Sequence, residues 1–525
     1  MVGAEEDWSF KVIVSLSLLG ASLLFGQIYI GLVLKPKRAR SRLEKQGIRG
    51  PSPVFLYGNI PEITRIHIQA AAAEETAGAG GENLSHAWPA KVFPHLQQWR
   101  NQYGPIFVYS SGNIQTLCIM DPEMVKELST CTSLNLGKPA YLSKDRGPLL
   151  GQGILSSNGA YWAFQRKIIA PEFYLDKVKG LTSLMFDSTS TIIRSWESKM
   201  NGERAGVEIS VDEDMRNLSA DIISRGCFGS SYSQGKEIFL KLHALQQVMS
   251  KGNIGVPGSR FIPTKTNRDM WRLKEEIDTM ILNVIKARRE TQHDKDLLQL
   301  ILDAANNDGN NNFLPNDVAA SWFIIDNCKN IYFAGHETTA ISLSWCLVLL
   351  AAYPDWQALV REEVLEICGD NPPDVDKVRM MKLLNQVILE TLRLYPPAVF
   401  VGREALQDIS LKGIEIPKGT YIQIPISFLH QHGEIWGRDV HKFNPGRFEH
   451  GISRACKTPQ AYMPFGVGTR NCLGQHFAMM ELKVILSAFL SRFSFSLSPA
   501  YQHSPAFQLV IKPQYGVKLH VRALE

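Results

Sequence analysis

Phe465-Gly466-Val467-Gly468-Thr469-Arg470-Asn471-Cys472-Leu473-Gly474 is the stretch on which the reading of this 525-residue chain turns. Gly466, Gly468 and Gly474 let a backbone pass close to a flat, bulky group. Residues from Gln475 onward carry a helical pattern, which places Cys472 near a helix N-terminus. Free amides and the helix dipole there favour a thiolate. Two plainer readings stand beside this one. A lone cysteine is a small buried hydrophobe in most proteins. Cys472 and His476 would make half a zinc site, but no second pair stands at finger-like spacing.

Composition narrows the field. A hydrophobic content of 45% is ordinary for a globular protein. The net charge of +5 is mild and does not point to nucleic acid. Eight cysteines without paired spacing suit a reducing compartment with no disulfide framework. Val12 to Leu34 is uncharged and apolar, long enough at about 1.5 Å per residue to cross a ~30 Å hydrocarbon core. Before it stand Glu5, Glu6 and Asp7 against Lys11. After it stand Lys35, Lys37, Arg38, Arg40, Arg42, Lys45 and Arg49 against Glu44. That asymmetry predicts a retained anchor, with residues 1–11 lumenal, 12–34 spanning and the bulk of the chain cytoplasmic. A removed signal peptide would have a shorter apolar region and a basic leading end. The sequons at Asn83 and Asn217 would then stay on the cytoplasmic side. Residues 35–55, ending in Gly50-Pro51-Ser52-Pro53, read as a basic and Pro-rich linker. Residues 56–525 read as one domain, in which 70–86 is a low-complexity surface insertion.

Periodicity predicts a mainly α chain with small β-sheets. Strands are expected at Ile106–Tyr109, Gln115–Ile119, Ile409–Leu411, Ile414–Ile416, Tyr421–Pro425, Phe493–Leu497, Phe507–Ile511 and Val517–Arg522. Helices are expected at Pro122–Thr130, around Trp162, through most of Thr182–Ala304, and over Pro354–Tyr395. Asn316 and Asp317 are capping types for a long helix ending near Tyr353, where Pro354 stops it. It is apolar nearly all round and should cross the core.

That helix holds Ala334-Gly335-His336-Glu337-Thr338-Thr339. A mid-helix glycine costs about 1 kcal/mol against alanine, so Gly335 asks for a reason, such as a ligand pressed on the backbone. Thr338 can bond back to a carbonyl and distort the turn, opening a groove. Glu390 and Arg393 share a helix face, as do Trp162 and Arg166. Alone, these pairs read as solvated surface.

Together the motifs resemble the cytochrome P-450 monooxygenases. The cysteine loop is similar to that family's haem-binding signature, Phe-x-x-Gly-x-Arg-x-Cys-x-Gly, at every fixed position, and the other motifs follow in the family's order between about Arg49 and Arg522. The resemblance implies the cytochrome P-450 fold behind an N-terminal transmembrane helix, in the endoplasmic reticulum membrane. It implies haem b, with Cys472 as the axial ligand of the iron and Phe465, Gly466, Arg470 and Gly474 in the binding loop. Covalent haem attachment through Cys-x-x-Cys-His is excluded, since no such run is present. Glu337 and Thr338 would be catalytic in oxygen activation, Glu337 relaying protons from solvent and Thr338 donating a hydrogen bond. Trp162, Arg166, Arg403 and Arg470 would partner the haem propionates. Glu390, Arg393 and Arg447, the last in Asn444-Pro445-Gly446-Arg447-Phe448, would form a buried structural network. Gly446 stands where many relatives have an acid, which puts local rigidity in question. No nicotinamide or flavin fingerprint is present. Electrons from NADPH would therefore come through a separate membrane-bound reductase.

A hydrophobic small-molecule substrate suits a protein pocket over a haem. The run Gly153-Ile154-Leu155-Ser156-Ser157-Asn158-Gly159, continuing through Ile169-Ala170-Pro171-Glu172-Phe173 to Tyr174-Leu175-Asp176-Lys177-Val178-Lys179-Gly180, resembles the plant subfamily that oxidises gibberellins. That implies a gibberellin-type diterpenoid acid, hydroxylated at ring carbon 13 or epoxidised at the 16,17 alkene. Other plant hormones or terpenoids stay open as substrates. So does haem isomerase chemistry without oxygen activation, although members of that kind lose the acid–alcohol pair kept here in Glu337-Thr338. Simple haem carriage is the third alternative.

Overall fold

The computed structural model of the protein follows the helical periodicity: long helices carry small sheets at their margins. It describes all residues except 1, 78–83, 201–205, 230–231, 251–255, 257, 291–295, 307–313, 315–316, 370 and 525. The expected cap Asn316 and the glycine-rich end of the insertion lie outside the described residues.

The N-terminus is one rod. Helix Val2–Tyr29 passes through a wide π-helical turn, Ile30–Leu34, into helix Lys35–Glu44. The apolar part of Phe10–Glu44 has a mean hydropathy of 1.8 and none of it is buried in the protein, so it is free to meet lipid. The first ten residues of the expected linker are thus helical. Arg40 ties the rod to the body, donating to the carbonyls of Gly50 (3.1 Å) and Pro51 (2.9 Å). Val318–Ala352 is also long and apolar enough to span a membrane, but 78% of its apolar window is buried, which makes it a core helix. Asp317–Ala352 runs 36 residues. Tyr353 leaves helical geometry and Pro354 opens the next helix, Pro354–Cys368, at a position where a missing N–H costs nothing.

The largest sheet has five strands, in the order Ile106–Ser111, Ile114–Ile119, Tyr421–Pro425, Phe400–Ala405, Leu136–Gly137. Its one parallel pairing sets Leu117 opposite Ile422. Apolar alternation did not reveal Phe400–Ala405, which carries Gly402, Arg403 and Glu404 in a six-residue strand. Asp121 caps Pro122–Thr130 by accepting from the Met124 amide at 2.7 Å.

Two expectations are corrected. The described ends of the expected 70–86 insertion are not loose surface: residues 70–77 finish the helix Ile60–Ala77, because alanine is the best helix former, and His86 is 2% exposed in the core. Phe507–Ile511 is not one strand. Leu509 has φ +67 and turns the chain between paired strands Pro505–Gln508 and Val510–Pro513. A β-type pattern does not show a two-sided hairpin when its turn residue is apolar.

Candidate active site

The cysteine loop is wound by its own backbone. The Cys472 amide donates to the Phe465 carbonyl at 2.8 Å, and the Gly466 amide to Met463 at 3.0 Å. Gly466 (φ +75) and Gly468 (φ +71) occupy the left-handed region that a side chain would strain. Gly474 has an ordinary φ of −85 and sits as N-cap of helix Gln475–Leu490. Cys472 is the exposed one among the eight cysteines. Protein nevertheless surrounds its thiol closely, as at the floor of a pocket: burial pushes the thiol up, while the Gly474 amide and the charges of Arg166 and Lys138 pull it back. The expected helix-terminus effect is present but burial outweighs it.

Arg166 and Lys138 act on this thiol, and Arg403 and Arg470 crowd beside Lys138. Arg470 lies over the Trp162 ring at 4.0 Å and donates to the Ser157 carbonyl (2.8 Å) and Asn158 Oδ1 (3.0 Å). Arg166 lies 5.6 Å from the same ring and holds Asn471 through its carbonyl (3.1 Å) and Oδ1 (2.6 Å). Arg403 is 5% exposed and donates to the Val467 carbonyl at 2.9 Å. Lys138 completes the group. Burial, then Arg403 and Arg470, hold its ammonium down at about 7. Burial, Arg403 and Arg166 likewise lower Arg470 to about 9. Among the described residues no carboxylate pairs with any of the four within ion-pair distance. Crowded cations beside an open thiol are the donor set that a haem fits, with two propionates for the cations and an iron for the sulfur.

Ala334–Thr339 lies in the long helix, which runs unbroken through it. Thr338 Oγ1 donates to the Ala334 carbonyl at 2.7 Å, so the back-bond is made without a break in the helix. The reason for Gly335 is helix packing: a Cβ there would stand 2.6 Å from Ile223 Cδ1 on helix Val211–Phe228. This packing is a reason for the glycine that local pattern did not show. Glu337 is 1% exposed and turns toward His243 Nδ1 (3.7 Å), Arg216 Nε (3.8 Å) and His336 Nδ1 (3.8 Å). Burial pushes its carboxyl up, but His243, His336 and Arg216 together outweigh it and hold the acid at about 2.

The pair Glu390–Arg393 lies fully buried rather than solvated. Arg393 Nε and Nη2 donate to the two carboxylate oxygens at 2.7 and 2.8 Å, and its guanidinium also reaches the carbonyls of His430, Val440 and Lys442. Arg447 Nε stands 3.6 Å from Glu390, while its Nη2 donates to Asp439 Oδ2 at 2.9 Å. Asp439 thus gives Arg447 a carboxylate without any acid at Gly446. His430 joins this network to the loop: its Nε2 accepts from the Met463 amide at 2.9 Å, and its Nδ1 pairs with the Arg393 carbonyl at 3.1 Å.

The family model described as "Cytochrome P450" matches residues 83–521, most of the chain. The chain belongs to the cytochrome P450 family. It is 51% identical to "Cytochrome P450 714C2" of Oryza sativa subsp. japonica, covering 96% of each chain. It is 46% identical to "Cytochrome P450 714B3" of Zea mays (97% and 95% covered) and 44% to "Cytochrome P450 714A2" of Arabidopsis thaliana (94% and 95%). Three features of this P450's site escaped the sequence reading. Lys138 belongs to no motif. Asn158 clips it in place, accepting from the Lys138 amide (2.6 Å) as well as from Arg470. Asp326, Asn327 and Asn330 of the long helix accept from the amides of Gln152, Ile154 and Leu155, at 2.8 to 3.0 Å, and so hold the loop that leads into the Trp162 helix. Gly153 is required there, since a Cβ would stand 2.6 Å from Asn330 Oδ1. The run of polar residues in an otherwise apolar helix was the available signal.

Proposed function

We propose that this P450 is a haem-thiolate monooxygenase that inserts one oxygen atom from dioxygen into a gibberellin-type diterpenoid acid, by 13-hydroxylation or 16,17-epoxidation. NADPH supplies the electrons through a separate reductase in the same endoplasmic reticulum membrane. The observation that carries the reading is Cys472, the exposed one among the eight cysteines, with Arg166 and Lys138 acting on its thiol, Arg403 and Arg470 beside Lys138, and, among the described residues, no carboxylate paired with any of the four.

When bound, the haem supplies an iron whose thiolate ligand favours O–O cleavage. Cys472 gives up its proton on ligation, and the Gly474 amide and nearby cations support the resulting negative charge. Arg403, Arg470, Arg166 and Lys138 neutralise the propionates. Trp162 packs beneath Arg470 and keeps its guanidinium in plane. Thr338 Oγ1 rests its hydrogen on the Ala334 carbonyl and would release it to donate a hydrogen bond in oxygen activation. Glu337 remains ionised at working pH, a carboxylate held beside Arg216, His336 and His243. The gibberellin assignment is supported by the stretch Gly153 to Gly180, and the apolar anchor suits a substrate that partitions into membrane.

Membranes containing this protein and a plant reductase, supplied with NADPH and a panel of gibberellin acids, test the reading by mass spectrometry, with Cys472→Ala as the blank. A product heavier by one oxygen is expected, and its fragments separate hydroxylation from epoxidation. No turnover from protein with an intact thiolate–haem spectrum would discard the gibberellin assignment and leave another hormone or terpenoid as substrate. Unchanged coupling of NADPH use to product in Thr338→Ala would remove Thr338 from oxygen activation.

A further inference from the structure

Two turns past Thr338, about 10 Å along the same face of the long helix, stands Trp345. Its ring stacks on Tyr395 with centroids 4.0 Å apart and planes 11° apart. Trp88 lies parallel to Tyr395 as well, 6.3 Å away at 14°. All three rings are buried. The Tyr395 hydroxyl meets two imidazoles, His86 Nδ1 at 2.6 Å and His503 Nε2 at 3.1 Å. The second nitrogen of each imidazole meets a further phenol: His86 Nε2 with Tyr353 at 2.9 Å, and His503 Nδ1 with Tyr501 at 3.0 Å. Tyr353 and Tyr501 are partly exposed.

A buried tyrosine needs one hydrogen-bond partner to satisfy its hydroxyl. This one has two bases, each relayed to a tyrosine nearer the surface. Burial, and for His86 also His503, holds His86 down at about 3, and burial holds His503 at about 4, so both rings are neutral proton acceptors. Burial raises the Tyr395 phenol far above its ordinary value, so it loses its proton only together with an electron.

We propose that Trp345, Tyr395 and the His86–His503 pair form a route that carries oxidising equivalents out of the haem pocket when oxygen activation is not followed by substrate oxidation, an inference that rests on the haem-thiolate reading above. Trp345 gives one electron to the over-oxidised haem of such an abortive cycle. Tyr395 gives one electron back to Trp345, its O–H bond breaks, and the proton passes to an imidazole nitrogen of His86 or His503. Tyr353 or Tyr501, each partly exposed, then refills Tyr395 with an electron and releases its own proton to solvent, while the imidazolium returns its proton to Tyr395. A water-soluble thiol or ascorbate at the surface supplies the last electron and proton. The haem is reduced by one electron, the external reductant is oxidised by one, and every protein group ends as it began.

The ferric holoenzyme is mixed with cumene hydroperoxide, freeze-quenched and examined by electron paramagnetic resonance, with and without ring-deuterated tyrosine. A radical signal narrowed by the deuterated label is expected, lost or much reduced in Tyr395→Phe and in Trp345→Phe. Both variants should also bleach their haem severalfold faster during substrate-free NADPH turnover, and ascorbate should slow bleaching in the parent more than in either. A radical and a bleaching rate unchanged in both variants overturn the proposal. If neither variant accumulates, peptide mapping of the peroxide-treated parent decides: oxidation at Trp345, Tyr353, Tyr395 or Tyr501 supports the route, and oxidation confined to other residues overturns it. A parent that forms no thiolate–haem spectrum overturns the haem-thiolate reading and this route with it, whereas an intact spectrum with unchanged variants overturns the route alone.

Discussion

Glu390→Gln isolates the buried charge network. In the parent, Glu390 Oε1 accepts from Arg393 Nη2 at 2.8 Å and from the Asn444 amide at 3.0 Å, while Oε2 accepts from Arg393 Nε at 2.7 Å. Glutamine keeps the shape but removes the charge and turns an amide N–H₂ toward one of these donors. Arg393 is fully buried and then has only neutral acceptors, the glutamine carbonyl and backbone carbonyls, whereas Arg447 retains Asp439 at 2.9 Å. One orphaned buried cation costs about 3–5 kcal/mol. Against a typical total of about 5–15 kcal/mol, that raises the unfolded fraction by roughly two to three powers of ten. Asp439→Asn supplies the contrast: Asp439 is partly exposed, and its pair with Arg447 should be worth no more than about 1 kcal/mol. Urea unfolding of the detergent-solubilised holoprotein, followed by tryptophan fluorescence, gives both values from the midpoints if the slopes agree. A loss below about 1 kcal/mol in Glu390→Gln, or an equal loss in Asp439→Asn, would refute the argument that burial sets the size of the effect.

Three further outcomes are expected. Cys472→Ala should abolish the thiolate–haem spectrum while circular dichroism stays helical, and an unchanged reduced, carbon-monoxide-bound spectrum would remove the ligand assignment. Gly335→Ala should cost about 1–3 kcal/mol by overpacking against Ile223, and Ile223→Ala in the same chain should recover part of it; a cost unmoved by the second change would point to the backbone instead. Burial holds His86, His95 and His430 down at about 3, so each binds fewer protons folded than unfolded between about pH 3 and 6.5, and unfolding free energy should fall as pH drops through that window. Glu337 acts in the same direction, since its stabilising ionisation is lost as pH falls from about 4.5 toward 2. Urea midpoints at pH 7.5 and 5 measure the histidine part, and a midpoint that rises on acidification would contradict it.

The sequence by itself determined the family, the iron ligand expected of Cys472, the apolar anchor and the long core helix. Each is written in local terms: glycines at fixed spacing, an apolar run with basic flanks, and an apolar period with a proline at its end. Tertiary structure decided what depends on burial and on partners far along the chain. Glu390 and Arg393 look like a surface pair until helix Lys382–Leu394 is enclosed and Arg447 is brought beside them. Gly335 gains a packing reason only when Ile223 arrives from another helix. Lys138 carries no motif and Asn158 no named role within its run, yet Asn158 holds Lys138 beside Arg403, Arg470 and the Cys472 thiol. Charges and packed surfaces act across a few ångströms of space whatever the separation in sequence, so a reading of local pattern finds the groups that a motif names, and only the folded chain shows which others stand close enough to change their chemistry.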